Sequence, residues 1–137
     1  WEYAVRAGTT SATYNGNLTS LSCNSDPALG PIAWYCQNSS YRQHPVGGKL
    51  ANAWGLFDMS GNVSEWTWDL WNGTAYPVTG ITDPAGEESN SGNMHAARGG
   101  YWSDGTQSCR SASRARYTAI YINNTLGFRL ARTLFAP

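Results

Sequence analysis

The stretch NAWGLFDMSGNVSEWTWD, Asn52 to Asp69, decides how this chain is read. Its first half is punctuated by Gly55 and Gly61. Its second half alternates: Val63, Glu65 and Thr67 interleave with Ser64, Trp66 and Trp68, the two-residue period of a strand. Between the halves, Asp58 to Glu65 forms a tight turn rich in oxygen. Asp58 and Glu65 offer carboxylates, Gly61 permits a sharp turn, and the carbonyls of Gly61 and Val63 add two more oxygens. Oxygen-only ligation of mixed side-chain and backbone origin suits calcium. The spacing is not that of an EF-hand loop. The competing reading is an aspartate cap followed by a solvated glutamate.

Outward from this stretch, the chain is rich in turns. WEYAVRAG at its start reads as a short helix closed by Gly8. Thr9 to Leu50 carries turn signals throughout, among them Asn15-Gly16, Asp26-Pro27, Gly30-Pro31 and Gly47-Gly48, with a short strand expected at Ile32 to Tyr35. Leu70 to His95 reads as a second long loop. Ala96 to Trp102 reads as a strand, Ser108 to Arg116 as a strand or short irregular segment, and Leu126 to Ala131 as a closing strand. Loops this long are usually held by something. The candidates are a metal ion or the tryptophans Trp34, Trp54, Trp66, Trp68, Trp71 and Trp102.

Composition narrows the function. The 137 residues suit one domain, and nine basic residues balance nine acidic ones. Without a basic excess, nucleic-acid binding is not expected. No apolar run approaches the roughly 20 residues of a membrane span. The three cysteines are Cys23, Cys36 and Cys109. Cys23 and Cys36 lie close enough in sequence for a disulfide closing a short loop; the alternative is a pair of free loop thiols. No CxxC or Cys/His pairing suggests zinc. His44 and His95 are too few and too far apart to suggest an iron site. No secretory leader is visible; an extracytoplasmic location is favoured over a cytoplasmic one.

Three segments in order, WEYAVRAGTT, NAWGLFDMSGNVSEWTWD and RGGYWSDGTQSCRSASRAR followed by LGFRLAR, resemble the formylglycine-generating-enzyme or sulfatase-modifying-factor family. The resemblance covers essentially the whole chain and its style suggests a bacterial source. It implies an α+β fold, a C-type-lectin variant, loop-rich with short antiparallel strands and little helix. Family domains carry a segment before WEYA, so the single domain over 1–137 is expected to lack an N-terminal part, including a strand pairing with the closing strand. The resemblance implies calcium held by the Asp58 and Glu65 side chains and the Gly61 and Val63 carbonyls.

The family's enzymes bind copper(I) through two cysteines after a Gly-Gly-Ser motif and oxidise a cysteine in a Cys-X-Pro-X-Arg sequence. Copper(I) prefers such soft thiolates. Counting from Gly99-Gly100, the two positions fall on Asp104 and Cys109, so copper is not expected. Cys109 is either a catalytic thiol or a buried structural one.

The stretch from Tyr101 to Asn124, YWSDGTQSCRSASRARYTAIYINN, has the Tyr, Ser and Asn content of an adaptable binding surface. The resemblance places the family's substrate cleft here, and related lectin-fold proteins are diversified here by retroelements. Tyr101, Ser103, Asp104, Arg114, Arg116, Tyr117 and Tyr121 are the candidate ligand contacts. On a strand, Arg114 and Arg116 would face the same way and could hold a carboxylate; the other reading pairs them with nearby acids. Arg98 and Arg129 are expected to be structural. Three functions compete: a non-catalytic module binding a peptide, protein or small polar ligand; a formylglycine-generating oxidoreductase; and a diversified variable receptor.

Overall fold

The structure, a computed structural model, describes residues 1–71 and 93–131. Among these residues the one α-helix, α1 (Glu2–Arg6), is short. Glu2 and Arg6 pair at 2.8 Å across one turn, with the acid at the positive end of the helix and the base at the negative end. The left-handed cap falls on Ala7, at φ 44°, one residue before the expected Gly8. The Asn52 amide donates to the carbonyls of Ala4 and Val5, at 2.8 and 3.2 Å. It thereby satisfies acceptors that a helix end leaves orphaned.

The strands follow as β1 (Ala33–Trp34), β2 (Ser60–Gly61), β3 (Ser64–Leu70), β4 (Met94–Arg98), β5 (Ala115–Thr118) and β6 (Leu126–Gly127). A four-stranded sheet runs β5-β4-β3-β6, and β1 pairs with β2 apart from it. The long pairs, β3 with β4 and β4 with β5, are antiparallel as expected. The short pairs β1–β2 and β3–β6 run parallel. The strand expected from Ala96 to Trp102 begins earlier and stops at Arg98, because Gly99 and Gly100 both take positive φ. Ser108 to Arg116 divides into a 3-10 turn, Thr106–Cys109, and the start of β5. The closing strand is only two residues long. Beyond it Phe128 and Leu130 are exposed, and Arg129 is drawn aside to Glu65. The expected Leu70 to His95 loop falls mostly on residues 72–92, outside the described residues.

The core is small and built from loops. Leu29, Ile32, Ala33, Tyr35, Cys36 and Cys109 form one buried cluster, with Tyr14 and Leu18 packed against it. Burying side chains such as Leu29 and Ile32 contributes about 1.5–3 kcal/mol each. Cys23 and Cys36 are joined by a disulfide. Gly61, at φ +69°, has no room for a side chain: a Cβ would run into the Trp34 carbonyl. The tryptophans do not all brace loops. Trp34 stacks on His44 at 3.8 Å, with the Lys49 ammonium 4.0 Å from its ring centre. Trp68 is 85% exposed and holds nothing down. Trp66, two residues earlier on the same face of β3, is partly buried and meets His95 and Tyr117 edge-on.

Candidate functional site

The oxygen-rich turn comes first, because the strand start positions it. Asn62, at φ 62°, locks it from both sides. Its amide accepts from the His44 N–H at 2.9 Å and donates to the His44 carbonyl at 3.0 Å. Its backbone donates to Trp34 at 2.7 Å and accepts from Trp102 at 2.9 Å. Asp58, Val63 and Glu65 line one cavity of about 450 Å³, together with Leu56, Phe57 and Arg129. Gly61 is not part of its lining.

The two carboxylates have different surroundings. Asp58 Oδ2 accepts from the Gly47 N–H at 2.7 Å, while Asp58 Oδ1 is buried with no hydrogen-bond partner. Glu65 is not a solvated glutamate. Its oxygens accept from Trp1 Nε1 at 2.7 Å and from Arg129 at 3.0 and 2.6 Å. A carboxylate offers about four acceptor directions, so one remains for a further partner. Among the described residues, no cluster of three or more His, Cys, Asp or Glu could hold a metal. An ion at this turn would lean on Asp58 and on main-chain oxygens. The orphaned, buried Asp58 Oδ1 is the atom that fits such an ion.

The second site lies where β4 ends. A cleft of about 180 Å³ is walled by Gly100, Tyr101, Asp104, Ser108, Arg114 and Tyr117, among others. Gly100, at φ +70°, sits so close to Ser108 and Cys109 that a Cβ would stand 3.0 Å from each. The walls are stitched to the N-terminal loops: Cys36 N–H donates to the Asp104 carbonyl at 3.0 Å, and Ser111 N–H to that of Ala12 at 2.9 Å. The Ser39 hydroxyl donates to the Trp102 carbonyl at 2.7 Å. The loop carrying the cleft is therefore held by the disulfide-bonded half of the molecule.

The cleft brings together a carboxylate, two phenols and the Arg114 guanidinium. Burial pushes the Asp104 carboxyl up, against hydrogen bonds from the Tyr101 N–H, at 3.1 Å, and from Ser108. The phenols of Tyr101 and Tyr117 are raised first by burial and then by neighbouring negative charge, including that of Asp104. Tyr117 stacks on Tyr121 at 4.7 Å and meets Trp66 edge-on at 6.0 Å.

Of the seven candidate contacts, Tyr101, Asp104, Arg114 and Tyr117 line the cleft, and Tyr121 supports it through Tyr117. Ser103 and Arg116 do not line it. The two arginines do share a neighbour, with their guanidinium carbons 4.6 and 6.0 Å from the Trp71 ring centre. Sequence reading missed Ser64, Ser108 and Ser113. Ser64 is the first residue of β3. Arg98 is buried, bonded to the carbonyls of Ser111 and Ser113 and to Glu2, and is structural as expected.

Cys109 lies beneath the cleft and not in it. Its side chain is fully buried in the core cluster, and burial pushes its thiol far up. Burial disfavours the thiolate, the form of a cysteine that acts as nucleophile or metal ligand.

A sulfatase-modifying factor enzyme 1-like domain matches residues 1–134. The chain belongs to the sulfatase-modifying factor family. A formylglycine-generating enzyme of Streptomyces coelicolor is 30% identical over 139 residues, covering 96% of this chain and 44% of that protein. Treponema denticola variable protein 1 superposes with a TM-score of 0.77 at 32% identity, covering 93% of this chain and 43% of that one. PvdO from Pseudomonas aeruginosa follows with a TM-score of 0.64 at 26% identity, over 93% of this chain and 47% of that one. The chain thus spans less than half the length of each of these relatives. They establish the C-type-lectin-like fold, to which the short strands and, among the described residues, the single short helix conform. Among the described residues, no helix is long and apolar enough to cross a membrane.

Proposed function

We propose that this chain is a non-catalytic member of its family: a binding module whose cleft at Tyr101, Asp104 and Tyr117 takes a peptide or protein. The observation that carries this reading is the state of the cysteines. Two are bonded to each other, and the third is buried, with burial pushing its thiol up. Copper(I) needs accessible soft thiolates, and Asp104 supplies hard oxygen in the wall of the cleft. Ile120 and Ile122 are 86% and 95% exposed beside Tyr121. Bare apolar residues beside tyrosines favour a macromolecular partner over a small polar solute. Copper(I) titration against a thiol-competing chelator tests the reading. No high-affinity site is expected; stoichiometric, tight thiolate binding would overturn it.

Calcium at the Asp58 turn is part of the same proposal. Asp58 with the carbonyls of Gly61 and Val63, and Glu65 through its remaining acceptor direction, would hold the ion. It would supply a structural cross-link between the turn and β3. Adding calcium to chelator-treated protein is expected to raise the melting temperature, and Asp58→Ala to abolish that rise. An unchanged melt of the wild type across calcium concentrations would remove the ion from the account.

A second reading, a diversified receptor, is favoured by the likeness to a protein named as variable and by the exposure of residues 119–124. Under it, copies of the locus differ chiefly between Tyr101 and Asn124. Uniform sequence there contradicts it.

A further inference from the structure

We propose that the cleft contains a subsite for one organic cation, the ammonium or guanidinium end of a lysine or arginine side chain presented by the partner. This rests on the binding-module reading and names what the module grips. Asp104 carries the argument. Its main chain is fixed at both ends, donating to the Tyr101 carbonyl at 2.9 Å and accepting from Cys36 at 3.0 Å. Its Oδ2 accepts the Tyr101 N–H. The carboxylate is thus aimed by a closed turn and cannot swing away without breaking it.

Among the described residues the ion pairs are Arg6 with Glu2, Arg98 with Glu2 and Arg129 with Glu65; none involves Asp104. A half-buried carboxylate with hydrogen bonds but no counter-charge is poorly solvated, and an entering cation relieves that cost. Tyr101 and Tyr117 share the same small space, and the field of Asp104 reaches both phenols. Aromatic faces beside a carboxylate attract ammonium and guanidinium groups twice over, by charge and by the ring quadrupole. A volume of about 180 Å³ admits the end of one side chain and not a helix or strand. Arg114, which also lines the cleft, has its guanidinium carbon 4.6 Å from the centre of the Trp71 ring, whose face draws its charge.

Amide spectra of the 15N-labelled chain, titrated with n-butylammonium, ethylguanidinium and acetate, test this. The two cations are expected to give saturable shifts at Tyr101, Asp104 and Ser108, and acetate none. Asp104→Asn keeps an acceptor for the Tyr101 N–H and removes the charge. It is expected to weaken cation binding by about tenfold or more, as for loss of a charge-assisted contact. Tyr117 should also titrate at lower pH in this variant, a shift that mere loss of packing would not give. Preserved amide positions for Cys36 and Cys109 show that the variant is folded.

Equal cation binding by wild type and Asp104→Asn overturns the proposal, as does acetate moving these amides while the cations do not. The two readings fail separately. Cation binding together with oxidation of a Cys-X-Pro-X-Arg peptide overturns the non-catalytic reading and leaves the subsite. Absence of both overturns the subsite alone.

Discussion

The loops from Thr9 to Leu50 and the face from Tyr101 to Asn124 have similar compositions and opposite roles. Both are rich in Ser and Tyr and carry Asn. In the first, polar groups such as Asp26, Tyr35 and Asn38 are spent on the backbone. Asp26, almost wholly buried, accepts from the N–H groups of Thr19, Ser20, Ala28 and Leu29 and from the Thr19 hydroxyl. Tyr35 OH bridges the Asn24 carbonyl and the Asp26 N–H, and Asn38 binds the Tyr35 N–H and the Ala33 carbonyl. These bonds replace the ladder a strand would have supplied. In the second region the base is tied to those loops through Trp102, Asp104, Thr106 and Ser111, but Ile120, Tyr121 and Ile122 stand in solvent, held by the local bond from Tyr121 N–H to the Thr118 carbonyl. The partner of a polar or aromatic group, and not its kind, separates scaffold from face.

The sharpest way to break this contrast is Asp26→Ala. Removing a buried, charged acceptor leaves several donors unsatisfied and should cost about 3 kcal/mol or more. Burial alone would raise the Asp26 carboxyl, but the hydrogen bonds from Thr19, Leu29 and Ala28 outweigh it and hold the group low. A lowered folded-state value means that the stabilisation is present above the unfolded value, about 3.9, and is lost as pH falls through the folded one. Denaturant titrations should therefore show the gap between wild type and variant narrowing in acid. A pH-independent gap would deny the carboxylate its role.

Next in size is the disulfide. Replacing Cys23 and Cys36 together by alanine should cost about 3 kcal/mol, as expected for closing a loop of this length. Because Cys36 N–H holds the Asp104 carbonyl, the amide signals of the cleft should broaden or shift as well. Stability loss with an unaltered cleft spectrum would show the two regions to be independent.

Asp104→Asn has the opposite sign to Asp26→Ala. Burial raises the Asp104 carboxyl, so its ionised form is disfavoured in the fold. Its favourable contribution is complete below the unfolded value and is lost as pH rises through the folded one. The variant should melt slightly above the wild type near neutral pH, with the gain fading in acid. A lower melting temperature at neutral pH would contradict this. Smallest of all, Ile122→Ser should change stability by no more than about 0.5 kcal/mol and yet weaken partner binding. A clear loss of stability would make Ile122 scaffold.

What could be read in the sequence was what local pattern or a motif determines. The alternation at Val63 to Trp68 marks β3, WEYAVRAG marks α1, and the three quoted segments mark the fold. What could not be read depended on distant partners. The Glu65 carboxylate looked solvated or metal-bound because Arg129 and Trp1 are each 64 residues away. The parallel β3–β6 pairing joins residues just as remote. The closing strand looked longer because Phe128 and Leu130 alternate like core residues; both are exposed. In the cleft, Tyr101, Asp104, Arg114 and Tyr117 were named from composition and resemblance. Ser103 and Arg116 were carried along by adjacency, since spacing alone does not reveal where a turn ends and the strand begins. The depth of Cys109 follows from the chain folding over it, which no count from Gly99-Gly100 discloses.

The central claim is that this scaffold binds without performing its family's oxidation. The direct test is to incubate the calcium-loaded protein, shown to be folded by its melt, with copper, dioxygen and a Cys-X-Pro-X-Arg peptide, and to follow the peptide by mass spectrometry. The account predicts an unaltered cysteine, for wild type and Cys109→Ser alike. Conversion of the cysteine to an aldehyde by the wild type, lost in Cys109→Ser, would contradict it.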